Sequence, residues 1–206
     1  MLVVDDHPLF RKGLCAVLAG EPDFEVVAQA GTMDEAMRAV GATPIDLAIV
    51  DIMLPNGDGI AITRRLREQG SEVSVLGLSV LDEPIRVAEL LRAGAIGFVH
   101  KTQTVPEILD AIRSTLAGTR YLCPALREAL EQLLSPETKL PLERLTARER
   151  EVFVLLVQGH NNDSAAKTLG IAARTVETHR QRIMKKLGAH SVAELVRLAA
   201  KWGTLS

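Results

Sequence analysis

The chain has 206 residues, 47% of them hydrophobic, and its 24 Lys and Arg nearly balance 26 Asp and Glu for a net charge of −2. That length suits one or two domains, and that balance excludes a collagen-like, low-complexity or uniformly charged disordered chain. Cys15 and Cys123 have no Cys or His cluster beside them, and no apolar run approaches the ~20 residues that cross a bilayer, so a disulfide framework, a thiolate metal site and a membrane anchor are not expected.

Met1-Leu2-Val3-Val4-Asp5-Asp6 has no basic segment before its apolar run, which argues against a signal peptide and, with the cysteine usage, for a cytoplasmic protein. Through residue 120, short β-rich runs alternate with amphipathic helical stretches. Strands are expected at 2–4, 25–30, 47–50, 73–78 and 97–99, and helices at 9–19, 32–40, 60–69, 84–93 and 105–117. Thr32 with Glu35 forms a capping-box pattern, and glycines stand where each helix should stop. Five βα units of this kind predict an α/β domain over residues 1–120, a five-stranded parallel, doubly wound sheet of flavodoxin-like type. A helical run at 124–134 and the polar, two-proline stretch 135–141 predict a helical linker over 121–142. Residues 143–206 read as all helix: Thr146 with Glu149 opens a helix to about Gln158, followed by helices near 164–169, 173–187 and 192–202.

The near-zero net charge hides an asymmetry. Residues 1–120 carry 17 acidic and 11 basic side chains, whereas 143–206 carry 6 acidic and 11 basic. A basic back and an acidic front suggest that only the back meets nucleic acid. Charge alone leaves a solvated basic surface equally open.

In a doubly wound sheet, ligands bind outside the carboxyl ends of the strands. Asp5 and Asp6 end the first strand and Asp51 the third, so the fold gathers three carboxylates that are distant in sequence. Like charges this close call for a cation, and an all-oxygen cluster suits Mg²⁺. Taken alone, Asp51 reads better as a cap of the following helix and Asp5-Asp6 as a turn. Ser79 closes the fourth strand and Lys101 follows the fifth, and a hydroxyl and an ammonium beside a metal-bound carboxylate make a place for a phosphoryl group, with Asp51 as nucleophile.

Val3-Val4-Asp5-Asp6-His7-Pro8, Asp46-Leu47-Ala48-Ile49-Val50-Asp51 with Pro55 and Asp58-Gly59, Ser79, and Gly94-Ala95-Ile96-Gly97-Phe98-Val99-His100-Lys101 together resemble response-regulator receiver domains. The likeness implies that Asp51 accepts a phosphoryl group from a sensor histidine kinase. It also implies that Asp6, Asp51 and the Met53 carbonyl hold Mg²⁺, with Asp5 acting through water. By the same likeness Ser79 and Phe98 form a switch pair, the ring rotating inward as the hydroxyl moves toward the phosphoryl group. Core packing is a competing account of Phe98. Val80 and Thr102 depart from the residues common at their positions, and Thr102 in place of proline makes a cis peptide unexpected.

On a helical wheel, Ala173, Val176, Ile183 and Leu187 lie opposite Arg174, Thr178, Gln181 and Lys185, giving one buried and one outward face. Leu169-Gly170-Ile171-Ala172 is a short glycine-containing turn of the helix-turn-helix type. Arg174, Arg180, Arg182, Lys185 and Lys186 would neutralise DNA phosphates. A small bundle with a solvated basic face is the bland alternative. Leu145-Thr146-Ala147-Arg148-Glu149-Arg150-Glu151-Val152, Thr175-Val176-Glu177-Thr178-His179-Arg180 and Lys186-Leu187-Gly188 resemble the LuxR-type output domain of NarL/FixJ response regulators. That resemblance implies that residues 173–186 form the recognition helix on double-stranded DNA; Thr175, Glu177, Thr178 and Gln181 are its candidate contacts, with Glu177 either accepting from a cytosine amino group or remaining solvated. It also implies that the last helix pairs two copies. His179 borders the buried face, where packing is the expected role. Ala172 replaces the usual serine cap, a loss of about 1 kcal/mol.

The leading expectation is therefore a phosphorylation-switched, homodimeric transcription regulator rather than an enzyme. A Mg²⁺-dependent phosphatase using Asp51 is the enzymatic alternative, weakened because Met53 stands where such haloacid-dehalogenase-type enzymes need a second aspartate. A nucleotide-binding module fares worse, since Gly57-Asp58-Gly59 is not followed by a third glycine in register and no Walker lysine motif occurs. A receiver acting only as a dimer surface is the last alternative.

Overall fold

The computed structural model describes residues 1–54, 57–80, 83–135 and 137–202, with backbone alone at Gly57, Asp58 and Lys201. The chain forms two compact units, Met1–Leu134 and Ser135 onward. The first runs β1 (Leu2–Val4), α1 (Pro8–Leu18), β2 (Ala28–Ala30), α2 (Met33–Ala42), β3 (Leu47–Asp51), the two-residue strands β4 (Met53–Leu54) and β5 (Gly57–Asp58), α3 (Gly59–Glu68), β6 (Ser74–Ser79), α4 (Pro84–Arg92), β7 (Gly97–His100), α5 (Val105–Leu116) and α6 (Arg127–Leu133).

Five strands pair in parallel in the order β2-β1-β3-β6-β7. All five residues of β3 are buried, as expected of a central strand covered by helices on both faces. The topological switch falls between β1 and β3, at whose carboxyl ends Asp5 and Asp51 stand. β2 is shorter than residues 25–30 because β1 begins at Leu2. Its ladder covers only Ala28 to Ala30, and ahead of it Val27 and Glu25 hydrogen-bond to Met1 instead. The antiparallel β4–β5 pair was not expected, since two-residue strands leave no periodic signal.

Thr32 caps α2 by accepting from the Glu35 N–H, and the Thr104–Glu107 capping box opens α5. Gly59 is fixed by a close approach: a Cβ there would collide with the Asp51 carbonyl oxygen, so only glycine lets α3 start against the end of β3. After α5 the chain returns to the open edge of β7, where the Tyr121 carbonyl accepts the Phe98 N–H at 2.9 Å and Leu122 bridges Phe98. Leu126 and Leu130 are buried, and Arg92 Nη2 donates to the Leu133 carbonyl at 2.7 Å, so α6 packs with the first unit, against α4.

The second unit holds a 3₁₀ turn at Pro141–Arg144, then α7 (Ala147–Val157), α8 (Asn162–Leu169), α9 (Ala173–Leu187) and α10 (Val192–Lys201). Leu140 lies in the stretch expected as a polar linker, yet it is fully buried, and its N–H is held by Glu143. α8 begins two residues earlier than its polar sequence suggests because Asn161 caps it, accepting from the Ser164 N–H. Gly170, at φ 64°, takes the left-handed turn into α9. The core holds Val152, Phe153, Leu156, Val176, Ile183, Leu195 and Trp202.

α7 and α9 are also joined by charge. Glu149 is 3% exposed, closes the capping box with Thr146, and accepts from Lys186 Nζ at 2.5 Å. Burial pushes its carboxyl up, but the hydrogen bonds from Lys186 and Thr146 outweigh this and leave the pKa below the usual value. A carboxylate with a depressed folded pKa stabilises above its unfolded value of ~4.3, and that contribution is lost as pH falls through the lower folded value. Glu149→Gln keeps the capping geometry and removes the charge. In denaturant titration it should lower stability by about 1 kcal/mol at pH 7, discounted for the partly exposed Lys186, with the difference vanishing once pH has fallen through the lowered folded value. Gly59→Ala should cost about 1–3 kcal/mol by forcing backbone apart. Gly77→Ala, whose Cβ would meet the movable Leu90 side-chain tip, should cost less in the same titration.

Candidate functional site

The strand ends bring Asp5, Asp51 and Lys101 together although 96 positions of sequence separate the first from the last. Lys101 Nζ lies 2.6 Å from Asp5 Oδ2 and donates to Asp51 Oδ2 at 2.7 Å. Asp5 is 0% and Asp51 2% exposed. The Met53 N–H donates to Asp51 Oδ1 at 3.0 Å, and the His7 N–H to Asp5 Oδ1 at 2.8 Å. Arg11 Nη1 donates to the Asp5 carbonyl, fixing the turn from β1 into α1. The Lys101 ammonium also stands 4.6 Å from the centre of the Phe10 ring, a cation–π contact.

Ser79, at the end of β6, is 1% exposed, and its carbonyl accepts the Lys101 N–H at 2.8 Å. It therefore borders the same crevice. Phe98 is 0% exposed, enclosed beneath the returning Tyr121–Leu122 segment. Pro55 and the Asp58 side chain, both part of the sequence pattern, lie outside the described residues.

Burial pushes the Asp51 carboxyl up; Lys101 and the Met53 N–H offset this only in part, and the charge of Asp5 adds to the rise. For Lys101, burial opposes the ammonium, but Asp5 and Asp51 outweigh it and raise the pKa, so the group stays charged. One ammonium faces three carboxylates, counting Asp6, which leaves net negative charge in a crevice of low polarity. Asp5, Asp6, Asp51 and His7 each offer an atom within 4.8 Å of the others, a cluster able to hold a metal ion. Asp6 Oδ1 is buried and accepts no hydrogen bond among the described residues, with His7 Nδ1 3.0 Å away. His7 was absent from the sequence-derived site. Its only signal was adjacency to Asp5 and Asp6, and its side chain is largely exposed.

On α9, Val176 and Ile183 are buried, whereas Arg174, Thr175, Thr178, Gln181, Arg182 and Lys185 are exposed. Five of the expected DNA-contact residues, Glu177, Thr178, Arg180, Gln181 and Lys186, have side-chain partners within the unit, Thr178 Oγ1 donating to the Arg174 carbonyl at 3.0 Å. Lys186 is on Glu149, and Arg180 Nη2 donates to Glu177 Oε1 at 2.9 Å. Glu177 also accepts from Asn162 Nδ2 at 2.5 Å and from Gln181 at 3.4 Å. The hydrogen bond from Asn162, then that from Arg180, hold its carboxyl below the usual range, so it is an anion on the face of a basic helix. His179 Nδ1 is buried without a hydrogen bond. Ala172 contributes no side-chain cap to α9. Sequence reading had no access to Asn162 or Glu149 as partners, because each meets α9 only through tertiary packing.

Residues 1–113 match the family described as response regulator receiver domain, and residues 143–199 match bacterial regulatory proteins of the luxR family. The response regulator GacA of Pseudomonas aeruginosa is 31% identical over 98% of this chain and 96% of its own. The crystal structure of ChrA, a response regulator in a heme-sensing two-component system, is 32% identical and covers 99% of this chain and 97% of its own, with a TM-score of 0.53. RcsB of Salmonella enterica serovar Typhimurium, bound to the promoter P1flhDC, is 20% identical over 97% of both chains with a TM-score of 0.66, a likeness of fold. The chain belongs to the response regulators of two-component systems that carry a LuxR-type DNA-binding domain.

Proposed function

We propose that Asp51 is the phosphoacceptor of this regulator and that its phosphorylation by a sensor histidine kinase promotes pairing of two copies on double-stranded DNA. The observation that carries the reading is the Lys101 ammonium held between Asp5 and Asp51. In the transfer, an Asp51 carboxylate oxygen forms a bond to phosphorus while the phosphorus–nitrogen bond to the donor histidine breaks. The imidazole leaves with the electron pair and takes a proton. The product is an acyl phosphate, and Lys101 is positioned to pair with its oxygens while Ser79 offers a hydroxyl.

The residues fit Mg²⁺: hard carboxylate oxygens, an excess of negative charge, and a buried Asp6 oxygen with no donor. Asp6, Asp51 and the Met53 carbonyl would hold it, with Asp5 through water. When bound, it neutralises charge on the transferring phosphoryl group. On α9, the exposed Arg174, Arg182 and Lys185 would contact phosphates, and Thr175, Thr178 and Gln181 face outward for base edges. Arg180 and Glu177 hold each other and set the position of Gln181, and Lys186 serves Glu149 before DNA.

Incubation with Mg²⁺ and a small-molecule phosphodonor should give a single phosphoryl adduct by mass, absent from Asp51→Asn. DNA affinity should tighten on the order of tenfold. No adduct on the unaltered chain would sink the assignment. Lys185→Ala should reduce the slope of log affinity against log salt by about 1 without altering stability. Lys186→Met should instead lower the unfolding midpoint, because Glu149 is left buried without its cation.

A further inference from the structure

The segments that follow Ser79 and Lys101 are joined by one imidazole. His100, the last residue of β7, places Nε2 2.7 Å from the Val80 carbonyl oxygen and Nδ1 2.6 Å from Thr102 Oγ1. The Thr102 N–H also points to Nδ1 at 3.3 Å. A carbonyl only accepts, so Nε2 carries the proton and Nδ1 accepts.

The β6–β7 ladder pairs Ser79 with His100, and the Lys101 N–H donates to the Ser79 carbonyl. The imidazole carries that pairing one residue further, onto Val80. The Val80 side chain is 59% exposed, so packing contributes little to holding this segment. On its other side, the His100 N–H donates to Gln103 Oε1 at 3.0 Å, and Gln103 Nε2 donates to the Tyr121 hydroxyl at 3.2 Å. Tyr121 is also the residue whose carbonyl holds the Phe98 N–H. One histidine thus ties the segment leaving Ser79 to the segment leaving Lys101 and to the chain returning along β7.

We propose that His100 is a positioning residue of the phosphoacceptor site. Its Nε2–H holds the Val80 carbonyl, and with it the backbone leaving Ser79, in the conformation of the unphosphorylated chain. Closing Ser79 onto a phosphoryl group requires that backbone to move, so this bond opposes phosphorylation. The inference rests on Asp51 as phosphoacceptor. It assigns the restraint to the imidazole because Nε2 is the group that meets the Val80 carbonyl. A single hydrogen bond near the surface gives a graded effect, a factor of roughly three to ten.

The test compares the unaltered chain with His100→Leu, which keeps bulk and removes the donor, and His100→Gln, whose amide can donate to the same carbonyl. Adduct formation from a small-molecule phosphodonor should be roughly three to ten times faster in His100→Leu and return toward the unaltered rate in His100→Gln. Microsecond-to-millisecond exchange at the Val80 amide, read by NMR relaxation dispersion without any phosphodonor, should rise in the leucine variant and fall again in the glutamine variant. An unchanged rate in His100→Leu, or an acceleration that glutamine does not reverse, overturns the proposal. If the unaltered chain takes no adduct, the phosphoacceptor assignment fails instead. The Val80 exchange then decides the restraint alone, and equal exchange in the unaltered and leucine chains overturns it.

Discussion

The first unit depends on one ammonium shared by two buried carboxylates. Asp5 and Asp51 sit at the ends of adjacent strands with almost no solvent to screen them, and packed so closely they would drive one another toward the neutral form. Lys101 offsets this in part, but it follows β7, and β6 lies between β7 and β3. Its side chain has to cross the end of β6, which the small Ser79 permits, and it passes the ring of Phe10 on the way. Gly59 meets the same demand for space on the other side, since any side chain there would displace the carbonyl of Asp51.

This arrangement is satisfied without being neutral. Lys101 answers two carboxylates, and Asp6 brings a third, with a buried oxygen that accepts no hydrogen bond among the described residues. A buried salt bridge with matched charge would contribute structure and nothing else. The surplus negative charge makes the cluster able to hold a hard cation, on which the proposed approach of a phosphoryl group depends. The charge imbalance therefore links the stability of the strand ends to the chemistry they support.

The acidic site was legible in sequence because its rule is topological. Once five βα units are counted, Asp5, Asp51, Ser79 and Lys101 must share one edge, whatever the details of packing. The elements that were missed or misjudged depend on pairings without periodicity. β4 and β5 are two residues each, β2 is cut short by where β1 begins, and α8 starts early on an asparagine cap within a run that reads as loop. His7 and His100 were present in the motif and passed over. Their neighbours are set by the turn after β1 and by a carbonyl twenty residues away, and neither shows in a linear pattern.

A lysine and a carboxylate meet in the second unit as well, with a different consequence. Lys186 answers Glu149 one to one, alongside the capping bond from Thr146, and no charge is left over. The pair ties α7 to α9 and so sets the position of α9. The same restraint appears at Glu177, where Asn162 of α8 and Arg180 of α9 share one carboxylate. On a helix meant for a polyanion, an acidic residue would weaken binding if it faced phosphate freely. Held by two donors, it orients Arg180 and Gln181 instead. Of the basic residues that sequence assigned to DNA, Arg174, Arg182 and Lys185 are exposed and have no carboxylate partner among the described residues, which is why the proposed phosphate contacts fall to them.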